Sequence, residues 1–82
     1  MERPEDFQLA LRDVHDELAD AVTSYGPMAS AHEGYAVILE ELEELKMEVF
    51  KKPVRRSTRE MRQEACQVAA MAVRFMVDVC GE

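Results

Sequence analysis

The sequence lacks the patterns that mark a membrane-spanning segment or a β-sheet. No apolar run approaches the roughly 18 residues that a transmembrane helix needs, and no stretch of useful length alternates apolar and polar residues with a period of two. A Ser-His-Asp arrangement, a zinc-type cysteine spacing and a glycine-rich phosphate loop are missing as well. We therefore expect a soluble, all-α protein that has no membrane contact and uses none of these common catalytic devices.

Cysteine is scarce, because Cys66 and Cys80 are the only two in the chain. On one predicted helix, at about 1.5 Å of rise per residue, they would lie roughly 21 Å apart, which is too far for a disulfide. The first residues also lack the charged, apolar and small-residue regions of a secretory leader. These observations predict a cytoplasmic protein whose thiols are reduced and packed in the core.

Positive charge is nearly absent from the first part of the chain. Residues 1–50 contain thirteen Asp and Glu but three Lys and Arg, whereas residues 51–82 contain four and seven. Because general nucleic-acid binding depends on neutralising phosphates, the acidic part and the net charge of −7 count against it. The same distribution suits either a solvated surface or a site for a cation.

Apolar residues, in contrast, make up 48% of the 82 residues. This length is that of one domain, which we place at residues 1–82. A chain of this size buries only about 60% of the surface that it exposes when unfolded. A partner chain that shares the core would add to its stability, so we expect a homodimer or a homotetramer.

The first predicted helix runs from about Pro4 to Ser24, because its apolar residues recur at steps of three and four. Gly26 and Pro27 then close it. The apolar stripe of this helix consists of Phe7, Leu11, Val14, Leu18, Val22 and Tyr25. His15 borders the stripe and is predicted to be a packing residue, and Asp13, Asp16, Glu17 and Asp20 are predicted to point largely away.

Capping-box spacings open the second and third predicted helices. These are Ser30 with Glu33 and Ser57 with Glu60, and Pro53 is predicted to end the second helix. The predicted buried side is Tyr35, Ile38, Leu39, Leu42, Leu45 and Val49 in the second helix, and Met61, Ala65, Val68, Ala72, Phe75, Met76 and Val79 in the third. A short link predicts an antiparallel helical hairpin, with the first helix alongside, that dimerises into a helical bundle.

A group of carboxylates in the second helix is the first candidate site. Glu41 and Glu44 are three residues apart and share one face, which Glu48 continues. No lysine stands four residues after Glu40, Glu41 or Glu44, so the carboxylates repel each other. A divalent cation with a preference for oxygen ligands, such as Mg²⁺, would reverse that repulsion. The alternative is a solvated, glutamate-rich helix surface.

The third helix adds two candidate ligands. Glu64 lies on or near the apolar side, where an unpaired carboxylate is costly, and Gln67 offers an amide oxygen on the same face. In an antiparallel hairpin both would converge with the carboxylates of the second helix. The alternative for Glu64 is a salt bridge to an arginine of the 51–59 segment, to Arg62 or to Arg74.

Residues 30–79 resemble the all-α nucleotide pyrophosphohydrolases, which include the MazG-like proteins, dimeric dUTPases and phosphoribosyl-ATP pyrophosphatases. That superfamily carries E-E-x-x-E on one helix and E-x-x-D on the next. Glu40-Glu41-Leu42-Glu43-Glu44 matches the first motif, and Glu64-Ala65-Cys66-Gln67 matches the second except that Gln67 replaces the Asp. The chain is also similar to a compact, often phage-associated subgroup with a His-Glu-Gly-Tyr opening like that at 32–35.

The resemblance implies that Glu41, Glu44 and Glu64 are Mg²⁺ ligands, with Gln67 in the fourth ligand position and Mn²⁺ as a substitute metal. It implies cleavage of a nucleoside triphosphate between the α- and β-phosphates, which yields a monophosphate and pyrophosphate. A neutral Gln67 is a weaker ligand than Asp. The alternative is therefore a catalytically inactive helical protein of the same fold with an interaction or regulatory role.

The segment from Lys51 to Arg59 is the main source of positive charge. Lys51, Lys52, Arg55, Arg56 and Arg59 are candidates for phosphate contacts, or they are solvated residues that offset the acidic part. Arg74 is a further candidate, for which a salt bridge to Asp78 is the simpler interpretation. Tyr25 and Tyr35 are predicted to be core residues, although either would stack on a base, and His32 is either a nucleotide contact or a polar surface residue.

Overall fold

The computed structural model describes residues 3–81, and within that part the chain is entirely helical apart from its connections. Helix α1 is Pro4–Ser24, α2 is Ala31–Val49 and α3 is Thr58–Asp78. The described residues contain no strand, which confirms the predicted all-α class with three helices. No helix among them is long and apolar enough to cross a membrane.

The helix starts are those that the capping residues predict. The Ser30 Oγ accepts a hydrogen bond from the Glu33 backbone N–H (3.1 Å), and the Ser57 Oγ accepts one from that of Glu60 (3.2 Å). The end of α2 differs from the prediction, because the helix stops at Val49, well before Pro53. The chain leaves the helix through the Phe50 cap, whose backbone N–H still donates to the Lys46 carbonyl (2.9 Å).

Helix α3 is central, since it packs against both α1 and α2, whereas the described parts of α1 and α2 do not pack against each other. The core forms where the three helices and the α1–α2 connection meet. Its most buried residues are Ala21, Met28, Ala70 and Met71, with Val14, Leu18, Val37, Ile38, Phe75 and Val79 packed around them. A Cβ at Gly34 would lie 2.6 Å from the Phe75 Cδ2, so only glycine allows α2 to approach α3 this closely.

The predicted buried side of α3 is partly wrong. Ala65, Ala72 and Met76 are exposed, whereas Ala70, Met71 and the polar Arg74 are buried. The reason is that α3 is covered from two directions, so the centre of its buried side lies between the two partner helices.

The apolar stripes of α1 and α2 are also only partly covered within one chain. Val14, Leu18 and Ile38 pack against the core and Leu45 is half-buried, but the other stripe residues are exposed: Phe7, Leu11, Val22, Tyr25, Tyr35, Leu39, Leu42 and Val49. The predictions that His15 is a packing residue and that both thiols lie in the core are wrong as well. His15 and Cys80 are exposed and Cys66 is half-buried, and both cysteines are free.

Arg74 ties the α1–α2 connection to the end of α3. Its Nη2 donates to the Gly26 carbonyl (2.5 Å) and lies 3.6 Å from the Asp78 Oδ2. The same Asp78 oxygen accepts a hydrogen bond from the Met28 backbone N–H (3.1 Å). The salt bridge predicted between Arg74 and Asp78 is therefore confirmed, and this network fixes the connection that forms one wall of the cleft described below.

Candidate metal centre

Three carboxylates of α2 and α3 meet in one cluster. One carboxylate oxygen from each of Glu41, Glu44 and Glu64 lies within 4.8 Å of the other two. Glu41 and Glu44 project from successive turns of α2, and Glu64 comes from the first half of α3. Glu41 and Glu64 are half-buried, whereas Glu44 is exposed. The cluster is therefore open to solvent on the Glu44 side, from which an ion would enter.

Gln67 lies at the inner edge of this cluster. With its amide nitrogen turned toward the carboxylates, it donates to the Glu41 Oε2 (2.9 Å) and to the Glu64 Oε2 (3.3 Å). Rotation of the amide by half a turn would instead present its oxygen to the same point. The side chain is thus placed either to bind the carboxylates directly or to complete an all-oxygen ligand set.

The crowding of carboxylates makes their ionisation difficult. The pKa of Glu41 is raised from 4.5 to about 7, mainly because the group is desolvated, and further by a hydrogen bond with Glu44 and by the nearby negative charges. The pKa of Glu64 is also raised, first by desolvation and then by the charges of Glu44, Glu48 and Glu60. The cluster therefore favours a bound proton in the absence of a cation.

Among residues 3–81, no lysine or arginine forms a salt bridge with the three carboxylates. Arg62 pairs with Asp13 (2.8 Å), Lys51 pairs with Glu48 (2.8 Å), and Arg74 is engaged as described above. The alternative that Glu64 pairs with an arginine is therefore not found in the described part of the chain. Three carboxylates and one amide are hard oxygen donors, and this donor set fits Mg²⁺ or Mn²⁺.

In the absence of divalent cations, we expect the Glu41 carboxyl to make the protein less stable as the pH rises. The pKa of Glu41 is raised from 4.5 to about 7 in the folded state, so the folded protein holds this proton more tightly than the unfolded chain does. The resulting stabilisation is fully present below pH 4.5 and is lost as the pH rises through about 7. The free energy of unfolding of the wild type and of Glu41→Gln is measured with urea in EDTA at pH 5 and at pH 8. The difference between the two proteins should change by on the order of 1–3 kcal/mol from one pH to the other. An identical pH dependence in both proteins would contradict the assigned environment of Glu41.

A cleft of about 700 Å³ adjoins the carboxylates between α1 and α2, with α3 as its floor. Its polar lining is mostly acidic, and Arg74 is its one basic residue. The apolar lining comes from Met28, Val37 and Met71, with Tyr25 at the connection. The complete acidic set is Glu17, Asp20, Glu33, Glu40 and Glu41.

The basic residues of the 51–59 segment predicted to contact phosphate lie apart from this cleft. Lys51, Lys52, Arg55, Arg56 and Arg59 are exposed, and none of them lines it. Of these five residues, Lys51 is the closest in sequence to the glutamates of α2, and it forms a salt bridge with Glu48. Glu40 and Glu43 are exposed, but Glu40 does line the cleft.

Glu17 was predicted to lie largely away from the apolar stripe of α1, and the structure places it closer to the helix interfaces than that prediction implies. Glu17 is half-buried and lines the cleft with Asp20. Its position was readable from a second, shorter stripe on α1, because Glu17 stands three residues after Val14 and four before the buried Ala21. The sequence prediction relied on the longer apolar stripe that includes Phe7 and Leu11 and so did not use this shorter one.

Comparison with known proteins found no protein-family model, no curated protein and no solved structure that matches this chain.

Proposed function

We propose that this protein is a Mg²⁺-dependent nucleoside triphosphate pyrophosphohydrolase, which cleaves its substrate between the α- and β-phosphates. The proposal rests mainly on the convergence of Glu41, Glu44 and Glu64 to within 4.8 Å, in a region without a neutralising cation among the described residues. The order of these residues along α2 and α3 is that of the E-E-x-x-E and E-x-x-D pattern, except that Gln67 replaces the Asp.

The carboxylates of Glu41, Glu44 and Glu64 would hold the metal, with the Gln67 amide oxygen as a weaker fourth donor. When bound, Mg²⁺ neutralises phosphate oxygens and stabilises the charge that develops during attack of water. Binding requires Glu41 to release the proton that the empty cluster favours, so metal affinity should rise with pH. The rotation of the Gln67 amide exchanges its two hydrogen bonds for a ligand contact.

The cleft next to the carboxylates supports the nucleotide part of the proposal. Its volume of about 700 Å³ accommodates a nucleoside, and its apolar side chains would exclude water from one face of a base. The single basic residue of the lining, Arg74, already contacts Gly26 and Asp78. The phosphates therefore depend on the metal and on Lys51, Lys52, Arg55 or Arg59 in the exposed 51–59 segment.

The order of the contacts between α2 and α3 supports the antiparallel hairpin. Near the start of α2, Gly34 lies against Phe75, and further along, Glu41 lies against Gln67. Since the contacts advance along α2 while they retreat along α3, we infer that the two helices run in opposite directions, as the short connection also favours.

Exposed apolar residues support the proposal of a homodimer, or of a homotetramer built from two dimers. Tyr35, Leu39, Leu42 and Val49 form a stripe on the side of α2 that faces neither α1 nor α3. A contiguous apolar face of this kind marks an association surface in a small protein. We therefore place a second copy against α2.

Leu42→Glu is expected to weaken self-association by at least about tenfold, because it would bury an unpaired charge at the centre of the α2 stripe. Leu42 is 48% exposed in the single chain, so the change should leave the helix itself intact. Light scattering during gel filtration, over a range of protein concentrations, measures the effect. Val54→Glu is the matched control, because Val54 is 89% exposed and lies outside the stripe. Equal association of both variants and the wild type would place the interface elsewhere.

The rival proposal is a non-catalytic helical protein of the same fold, for which the neutral Gln67 is the favouring observation. Gln67→Asp is expected to raise the affinity for Mg²⁺ about tenfold or more, since a carboxylate replaces an amide in the ligand set. The same change should destabilise the metal-free protein by adding a fourth negative charge. Calorimetric titration measures the affinity, and an unchanged or lower affinity would show that Gln67 does not face the ion.

The direct test of the proposed reaction is a panel of nucleoside triphosphates incubated with the protein and Mg²⁺. We expect equal amounts of monophosphate and pyrophosphate and no release of orthophosphate without an added pyrophosphatase. If the protein binds metal but releases no pyrophosphate from any member of the panel, the non-catalytic proposal is favoured. A location in the cytoplasm and the absence of nucleic-acid binding stay predictions.

A further inference from the structure

The end of α2 and the connection to α3 expose large apolar side chains that nothing in the described chain covers. Val54 is 89% exposed and Phe50 is 76% exposed, the two highest values among the large apolar residues that the structure describes. Met47, which lies one helical turn before Phe50, is 68% exposed. Single exposed apolar residues are ordinary, whereas a local group of them indicates an interaction surface.

Backbone hydrogen bonds fold residues 52–56 into a compact turn. The Lys52 carbonyl accepts hydrogen bonds from the backbone N–H groups of Arg55 (2.7 Å) and Arg56 (3.0 Å), and the Pro53 carbonyl accepts a longer one from Arg56 (3.3 Å). Pro53 also restricts its own φ, which limits the conformations open to the turn. Because Val54 lies inside this hydrogen-bonded turn, the fold itself holds its side chain in solvent.

Positive charge surrounds these apolar side chains. Residues 46–60 contain six Lys and Arg against Glu48 and Glu60, a net charge of +4 in a chain whose total is −7. Lys51 is paired with Glu48 (2.8 Å). Within the described part of the chain, the other cations of this stretch form no salt bridge, and they are Lys46, Lys52, Arg55, Arg56 and Arg59. Their charge is therefore available to an anionic partner.

The acidic cleft lies well away from this positive region. Its α2 residues Glu41 and Glu33 precede Phe50 by 9 and 17 positions, which is about 14 and 26 Å along the helix axis. Glu44, the nearest member of the carboxylate cluster, is about 9 Å away by the same measure. Since the Debye length at physiological ionic strength is about 8 Å, salt screens most of the repulsion between these carboxylates and an anionic surface at the turn.

We propose that this basic turn, residues 50–56, binds the surface of an anionic lipid bilayer. Phe50 and Val54 enter the headgroup region, where apolar side chains leave water. The neighbouring cations contact lipid phosphates and carboxylates, and each contact adds to the affinity. The prediction of no membrane contact rested on the absence of a spanning segment, which a protein bound at the surface does not need. The inference uses neither the cleft nor the carboxylate cluster, so it is independent of the proposed reaction.

The mixture of side chains favours a bilayer over a nucleic acid. Single strands bind through cations and through aromatic rings on which bases stack. Phe50 is the one aromatic ring of the turn, and the Lys46 Nζ already lies 5.7 Å from its centroid. The aliphatic Val54 and Met47 have no counterpart in such a complex, whereas the bilayer interface takes up both apolar and cationic side chains.

The test is sedimentation of the protein with large lipid vesicles in EDTA, which prevents a divalent ion from bridging the glutamates to the lipid. Vesicles in which roughly one lipid in three is phosphatidylserine should bind the protein at least about tenfold more tightly than vesicles of phosphatidylcholine alone. This binding should weaken as salt is added. Equal partitioning into both kinds of vesicle, or no binding to the anionic ones, would overturn the proposal.

Two variants remove the apolar and the charged contacts separately. Val54→Ser and the double change Arg55→Gln with Arg56→Gln should each weaken binding to the anionic vesicles by about tenfold. Val77→Ser and Arg12→Gln are the matched controls, because Val77 is 57% exposed on α3, Arg12 is exposed on α1, and both lie outside the turn. They should bind as the wild type does. If Val54→Ser binds as tightly as Val77→Ser, the proposed insertion is wrong.

Competition distinguishes the bilayer from other anionic partners. A single-stranded RNA oligomer that binds more tightly than the anionic vesicles would overturn the proposal in favour of a nucleic acid. Displacement of the protein from vesicles by soluble phosphoserine would overturn it in favour of a site for a free anion. Self-association without lipid that is lost in Val54→Ser would identify a second copy of the chain as the partner instead.

Discussion

Glu41→Gln and Glu64→Gln are each expected to reduce Mg²⁺-dependent pyrophosphate release by on the order of 100-fold or more. Each change removes one of three carboxylates that lie within 4.8 Å of one another and leaves the side-chain volume almost unchanged. Loss of one negative charge also relieves the repulsion within the cluster. Both variants should therefore unfold at a higher urea concentration than the wild type in EDTA, at a pH above 7.

The control for these two variants is Glu43→Gln. Glu43 belongs to the same acidic run of α2 but is exposed and lies outside the cluster. It should keep the activity and the metal affinity of the wild type. If Glu41→Gln and Glu64→Gln retain full Mg²⁺-dependent activity, or if Glu43→Gln loses it, the site is wrongly assigned.

Arg74→Met is expected to destabilise the protein by about 3–5 kcal/mol, which is the cost of breaking a buried charge pair from one side. The methionine keeps the packing of the aliphatic stem but leaves the Gly26 carbonyl and Asp78 without their cationic partner. Because Asp78 also holds the Met28 backbone N–H, the wall of the cleft should loosen. Urea unfolding measures the loss, and hydrogen exchange at residues 25–29 reports the loosening.

Arg62→Met serves as the control for this prediction. The Arg62–Asp13 pair is shorter, at 2.8 Å against 3.6 Å for Arg74–Asp78, but both of its side chains are about half exposed. Exposed pairs contribute about 0–1 kcal/mol, so burial rather than distance should decide the order of the two effects. A loss at Arg62 as large as that at Arg74 would contradict this explanation.

The secondary structure was predictable because its signals are local. The Ser30 and Ser57 caps fix the starts of α2 and α3 through hydrogen bonds to residues three positions later. The spacing of Glu41 and Glu44 places both on one face of a helix whatever the tertiary structure. The approach of Glu64 required one further assumption, that the short connection folds α3 back along α2.

Burial was less predictable, because it depends on how the helices are placed. Ala70 and Met71 are the centre of the core only because α3 is covered by both neighbours. For the same reason Leu42 and Tyr35, which belong to an apolar stripe of α2, are exposed in the single chain. Periodicity shows that a face is apolar, but it does not show which element covers it.

The cleft was the part of the site that could not be predicted from the sequence. Its lining includes Glu17 of α1 and Arg74 of α3, which are 57 positions apart and belong to no common motif. The wall of the cleft at residues 26–28 depends on the α1–α2 connection, which Arg74 and Asp78 hold in place. Local spacing contains no information about such a connection.

The most direct test of the metal centre is a calorimetric titration of Mg²⁺ into the wild type and into Glu41→Gln at pH 8, with a non-hydrolysable nucleoside triphosphate present. We expect saturable binding to the wild type and a loss of binding in the variant. The absence of Mg²⁺ binding to the wild type, or equal binding to both proteins, would contradict the assignment of Glu41, Glu44 and Glu64 as a metal centre.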